Sequence, residues 1–189
     1  MKVKSFIVIG CLAVLMFPCP TTGAELISFC RTGAIQKIID AIHNGANVNE
    51  SDADGQTPLM AGAMTRNNSQ DVVTLLLAAG ADVNAHNKSG LTPLMMAVIK
   101  PMPEVQLVKT LVWAGADINA RQHSGMTPLM LAAGMGRPEM AATLLDLGAN
   151  PNLKDKSDMT AFDIARKNVK FENTPVLRKL GEYQYEMVD

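Results

Sequence analysis

The tripeptide Thr-Pro-Leu occurs three times, starting at Thr57, Thr92 and Thr127, at intervals of 35 residues. Thr160, in MTAFDIA, follows after a further 33. A second marker keeps step with the first: Gly45, Gly80, Gly115 and Gly148, within NGANVN, AGADVN, AGADIN and LGANPN, are separated by 35, 35 and 33 residues. Two markers recurring in phase restrict the chain to a stack of equivalent supersecondary units. One such unit cannot bury its own apolar face, so its neighbours must cover it. A catalytic centre is seldom built four times in succession, and the repeated segment is structural first.

Each interval has the same internal plan. Apolar pairs separated by four residues precede every marker glycine: Ile38/Ile39 before Ile42, Val72/Val73 before Leu76/Leu77, Leu107/Val108 before Leu111/Val112, and Met140/Ala141 before Leu144/Leu145. That spacing forms one face of a helix, and a glycine at its end can turn left-handed and close it. Upstream, threonine caps a first helix, proline at the first helical position forfeits no needed N–H, and leucine enters the core. DADG (52–55), KSG (88–90) and HSG (123–125) supply turn residues. Each unit therefore reads as turn, short helix, loop, second helix, glycine and extended segment.

These residues resemble the ankyrin repeat, in which Gly-x-Thr-Pro-Leu-x-x-Ala opens the inner helix and Gly-Ala-Asp-Val-Asn follows the outer one. The resemblance covers nearly all of 25–189 and implies an all-α, ankyrin-repeat solenoid of about five helix-turn-helix units with short β-hairpin fingers. The expected units are 25–53, 54–88, 89–123, 124–156 and a C-terminal cap, 157–189. In the first, Glu25–Thr32 is the inner helix and Ala34–Asn44 the outer, with Cys30 facing the core where the repeat has alanine. In the last, Asp158 replaces the turn glycine and an outer helix is expected from NTPVLRKL (173–180). Atypical end units are required because the outer faces of a solenoid meet water. Two departures stand out. Methionine (Met60, Met95, Met130) occupies the place where the family usually has histidine, and packing between repeats is expected for all three. The second and third units carry two extra residues between their helices, adding Pro101 and Pro103 to the latter.

The N-terminus carries a different signal. MKVK is basic, Phe6–Phe17 is an apolar run of 12 residues, and PCPTTGA ends in small residues. This order is that of a secretory signal peptide, 1–24, cleaved after Ala24; 12 apolar residues are too few for a lasting membrane anchor. The rest of the chain is then expected in the periplasm or secreted. Cys11 and Cys19 would depart with the signal, leaving Cys30 without an intrachain partner. Without Lys2 and Lys4, 15 of the 17 basic residues face 18 acidic ones, a net −3. That balance, with one Trp, two Tyr and five Phe in the whole chain, disfavours nucleic-acid binding, which needs basic patches and stacking platforms.

The candidate site residues are those of a protein-binding module. By resemblance, Met64, Met96, Ile99, Leu131 and Met135 line the concave inner-helix groove, where flexible apolar side chains suit a protein partner. His86, Asn87, Lys88, Arg121, Gln122, His123, Lys154, Asp155 and Lys156 form a polar edge at the fingers. Trp113 is expected to pack over the adjoining loop. No His-Glu-x-x-His, phosphate-binding Gly-rich loop or Gly-x-Ser-x-Gly is present, so no catalytic residue, metal ligand or cofactor is assigned. The resemblance extends to small exported bacterial ankyrin proteins. It implies a monomer that protects or inhibits a protein partner. Alternatives are a secreted effector acting on a host protein, and Cu(I) handling through thioethers, which suit that ion. Equivalent residues of stacked units lie roughly 10 Å apart, too far to share one ion.

Overall fold

Threonine caps begin the inner helices, as the repeat requires. The side chains of Thr57, Thr92 and Thr127 accept from the backbone N–H of Met60, Met95 and Met130, each at 3.3 Å, and Thr160 accepts from Asp163 at 3.2 Å. A computed structural model of the chain describes residues 22–185. The expected signal segment falls almost entirely outside them. Its last three residues belong to the first helix: Thr22 caps α1 (Gly23–Thr32) and exchanges hydrogen bonds with Glu25 in a capping box. α1 thus begins two residues before the expected Glu25.

The described residues contain ten α-helices and no strand. Inner helices α1, α3 (Pro58–Met64), α5 (Pro93–Ile99), α7 (Pro128–Gly134) and α9 (Ala161–Ala165) stack in order, each on the next. Behind them lie the outer helices α2 (Ile35–His43), α4 (Ser69–Ala78), α6 (Val105–Trp113), α8 (Pro138–Asp146) and α10 (Pro175–Tyr185). A 3₁₀ turn, Val169–Phe171, joins the last pair. Leu59, Leu94 and Leu129, the leucines of the recurring tripeptide, are buried between the layers with Ile38, Val72, Leu76, Leu107, Leu111 and Leu144. Met60, Met95 and Met130 are buried too. The sulfur of Met130 accepts a long contact from the Thr127 N–H, at 3.5 Å, so this thioether takes over part of the bonding that a histidine would supply.

The first four outer helices close alike. Gly45, Gly80, Gly115 and Gly148 have φ between 84° and 95°. The next residue in each unit donates back five positions, as Ala46 to Ala41, Ala81 to Leu76, Ala116 to Leu111 and Ala149 to Leu144. This is the Schellman pattern, whose left-handed position glycine adopts without a Cβ penalty. Nothing lies within 4 Å of where a Cβ would stand at these glycines, so the requirement is conformational rather than steric.

The fingers are tight turns, not the expected β-hairpins. Each closes with two backbone bonds, as in Asn87 N–H to Leu91 O (3.1 Å) and Gly90 N–H to Asn87 O (2.8 Å). Neighbouring fingers are joined by Lys88 N–H to Asp54 O, His123 N–H to Ser89 O and Lys156 N–H to Ser124 O. A single bond per neighbour is less than a strand ladder needs. A second row of links runs through asparagines. Asn49 Nδ2 donates to Gly80 O while Asp82 N–H donates to Asn49 Oδ1, and Asn84 repeats both bonds with Gly115 and Asp117. Asn119 continues the row by accepting from Asn150 N–H. The last Asn of NGANVN, AGADVN and AGADIN therefore fixes the next unit.

Candidate protein-binding site

Helical periodicity places the groove residues in two rows. Counting 35 residues per unit, Ala61, Met96 and Leu131 share one register and Met64, Ile99 and Gly134 the other. Met64, Ile99 and Leu131 are half-buried, and Met96 is only 4% exposed, contributing little more than an edge to the groove floor. Met64, Met96 and Ile99 share a cavity of about 610 Å³ beneath the first fingers, with Leu91 and the charged side chains of Arg31, Asp54 and Lys88 on its walls. Met135 does not join them. It is the C-cap of α7, in the register of Thr65 and Lys100, one residue beyond the groove row, and 48% exposed.

Several groove residues were not among those read from the sequence. Arg31 donates to Asp52 at 3.0 Å and to Gln56 Oε1 at 3.1 Å, closing the N-terminal end of the groove. Gln56 and Leu91 occupy the variable position immediately before Thr-Pro-Leu. A signal was available: positions 56, 91 and 126 recur at 35 while their residue type changes, which marks a position the fold leaves unconstrained.

The finger residues divide by what their side chains do. His86, Arg121, Gln122, His123 and Lys156 come together around an open basin of about 540 Å³ between the second, third and fourth fingers. Asn87 is buried, and its Oδ1 accepts from Ser89 N–H and Leu91 N–H, so its side chain is committed to the turn. Asp155 does the same with Ser157 and Met159. Lys154 pairs with Asp158 at 3.0 Å. Arg121 is anchored by donating to the Lys154 carbonyl.

Trp113 departs from expectation. It is 70% exposed at the end of α6 rather than packed over a loop. Its position explains this: it follows the buried Leu111 by two residues, about 200° around the helix at 3.6 residues per turn, and so faces away from the core.

One cluster has catalytic residue types. The Lys100 ammonium, 1% exposed, reaches Glu104 at 2.7 Å and the Ser69 hydroxyl at 3.3 Å, while Ser69 also donates to the Glu104 carboxylate at 2.8 Å. Burial by itself would raise the Glu104 carboxyl, but hydrogen bonds from Lys100 and Ser69 and the lysine charge together hold it below its ordinary value. The serine oxygen is thus engaged on both sides, as donor to Glu104 and acceptor from Lys100. Ser69 is itself buried. The cluster is a clasp between the loops of the second and third units. Among the described residues no three His, Cys, Asp or Glu side chains are grouped to hold a metal ion. For thioether ligation, Met64 and Met96 share the groove but Met135 lies elsewhere, which leaves the copper reading without its third sulfur.

A family model described as Ankyrin repeats (3 copies) matches residues 26–122 and 102–187. No curated protein matches the chain. No described helix is long and apolar enough to cross a membrane.

Proposed function

From the premise that the chain belongs to the ankyrin-repeat family, a fold of non-catalytic protein–protein interaction, we propose that it binds a protein partner in its concave groove and acts without chemistry of its own. The observation that carries this is the groove itself. Half-buried Met64 and Ile99, with Leu91, form an apolar strip between the charged side chains of Arg31, Asp54 and Lys88. An apolar centre with a charged rim is the anatomy of a protein interface. The helices holding it are packed on both sides, so little ordering accompanies binding.

The basic, apolar and then small-residue order of 1–24 supports action in the periplasm or outside the producing cell. A monomer there, protecting or inhibiting one protein, is the role we assign. The experiment is capture of partners from envelope and secreted fractions on the immobilised protein and on a Met64→Asp/Ile99→Asp variant. Retention of one protein by the natural chain and its loss from the variant is the expected result. Equal retention by both would remove the groove from the proposal. Mass spectrometry of the N-terminus of the recovered protein tests export, since a chain still starting at Met1 would contradict it.

A further inference from the structure

We infer that the row of fingers is a second contact surface, which takes an extended acidic segment of the partner. The inference rests on the protein-binding reading above and adds the chemistry of the bound segment. It comes from a change of sign along the row. The first finger carries Glu50, Asp52 and Asp54, of which Asp52 pairs with Arg31 at 3.0 Å. The next three fingers carry Lys88, Arg121, Lys154 and Lys156. The fourth finger also carries two acids, Asp155, which accepts from two N–H groups of its own turn, and Asp158, which pairs with Lys154, so the excess positive charge rests with Lys88 and Arg121. Asp117, at the edge of the basin, accepts from Asn119 N–H at 2.9 Å. Lys88 and Lys156 are exposed and make no ion pair among the described residues.

The cations are positioned as well as numerous. The Arg121 guanidinium donates to the Lys154 carbonyl and lies over Gly125, where a Cβ would come within 3.0 Å of it. Gly90 likewise leaves room for the His123 ring, which a Cβ would meet at 2.5 Å. The finger turns are thus built around these two side chains. Lys88, His123 and Lys156 hold the same turn position in successive fingers, two residues before Gly90, Gly125 and Asp158, with Arg121 two residues before His123; stacked units are offset by about 8–10 Å. An extended chain advances about 3.3 Å per residue, so every third residue of a bound segment meets the next finger. Aspartate or glutamate at that interval fits fingers two to four, and a basic residue fits the acidic first finger. A nucleic-acid backbone does not fit, because its unbroken negative charge would meet Glu50 and Asp54 as well as a net −3 over 25–189.

The test is a titration of the purified protein with a dodecapeptide bearing glutamate at every third position, followed by NMR. The comparison ligands are its lysine counterpart and a short DNA duplex. Saturable shifts at His86, Gly90, Arg121, His123 and Lys156 are expected with the glutamate peptide and not with the lysine one. A Lys88→Glu/Arg121→Glu/Lys156→Glu variant, its folding verified by circular dichroism, should bind on the order of tenfold more weakly or worse. Lys170→Glu, remote from the fingers, should bind normally. Unchanged binding by the triple variant, no saturable shift, or preferential binding of DNA at these residues would overturn the inference. The Met64→Asp/Ile99→Asp variant should still bind the peptide. Failure here with successful groove capture therefore refutes the finger inference alone.

Discussion

At Cys30 the side chain has no exposed surface, and desolvation by burial pushes its thiol from 9.0 up to about 12. A raised acid stays protonated in the folded chain while the unfolded chain ionises, so this residue withdraws stability only as pH climbs above 9.0. Near neutrality the expected outcome is inertness: a thiol reagent should label Cys30 only at the rate at which the first unit unfolds. Fast labelling under native conditions would contradict its placement. The turn residues make an opposite pair of tests. Asp158 holds φ 61° where the other fingers have glycine, so Asp158→Gly should be neutral or stabilise by up to about 1 kcal/mol. Gly90→Ala should destabilise by more than about 1 kcal/mol, because φ is 76° and a Cβ would strike His123. Thermal melts measure both. Single residues were legible where the repeat fixes them, as at Cys30 and Met60, and misread where it does not. Trp113 departs from expectation because its angle on α6, not its apolar type, sets its exposure. Met135 departs too, because it lies just past the end of α7, a boundary the period does not mark.

Helices in this array depend on their neighbours for their ends. The Thr65 hydroxyl donates to Arg31 O and Asn68 Nδ2 to Gly33 O, while Asn168 Nδ2 donates to Ala133 O and Gly134 O. The Arg137 guanidinium donates to Val98 O and Ile99 O. Among the four inner helices with a following unit, α1, α5 and α7 have terminal carbonyls satisfied by it, while beside α3 Lys100 instead reaches Ser69 and Glu104. These links were not legible in the sequence, since a polar residue in a loop gives no sign of which carbonyl it meets. The caps themselves were, and Thr92→Ala should cost about 1 kcal/mol. The clasp has a pH signature. Because the Glu104 carboxyl is held below its ordinary 4.5, its contribution is complete above that value and is lost as pH falls through the lowered one. Glu104→Gln should destabilise the array by about 2 kcal/mol at neutral pH by leaving a buried ammonium short of its charge partner. It should also flatten the acid limb of stability against pH. An unchanged acid limb would show that the clasp does not titrate.

Over the whole molecule, five helix pairs share one continuous core, and each contacts only the pairs beside it. Stability is then a sum over units and the interfaces between them, so damage at a central unit should loosen both sides while damage at an end stays local. The period of the markers made this architecture readable. The groove was readable only in outline, because its rows follow from the period but its walls depend on Arg31, Asp54 and Lys88 reaching in from neighbouring elements. The central claim is that the array presents a preformed groove to a protein partner. Hydrogen exchange of the protein alone and with its captured partner tests this most directly. A preformed groove requires that α3, α5 and α7 are protected before binding, and that further slowing is confined to these helices and the fingers. Exchange that slows mainly on the outer helices, or inner helices that gain protection only when the partner is added, would contradict it.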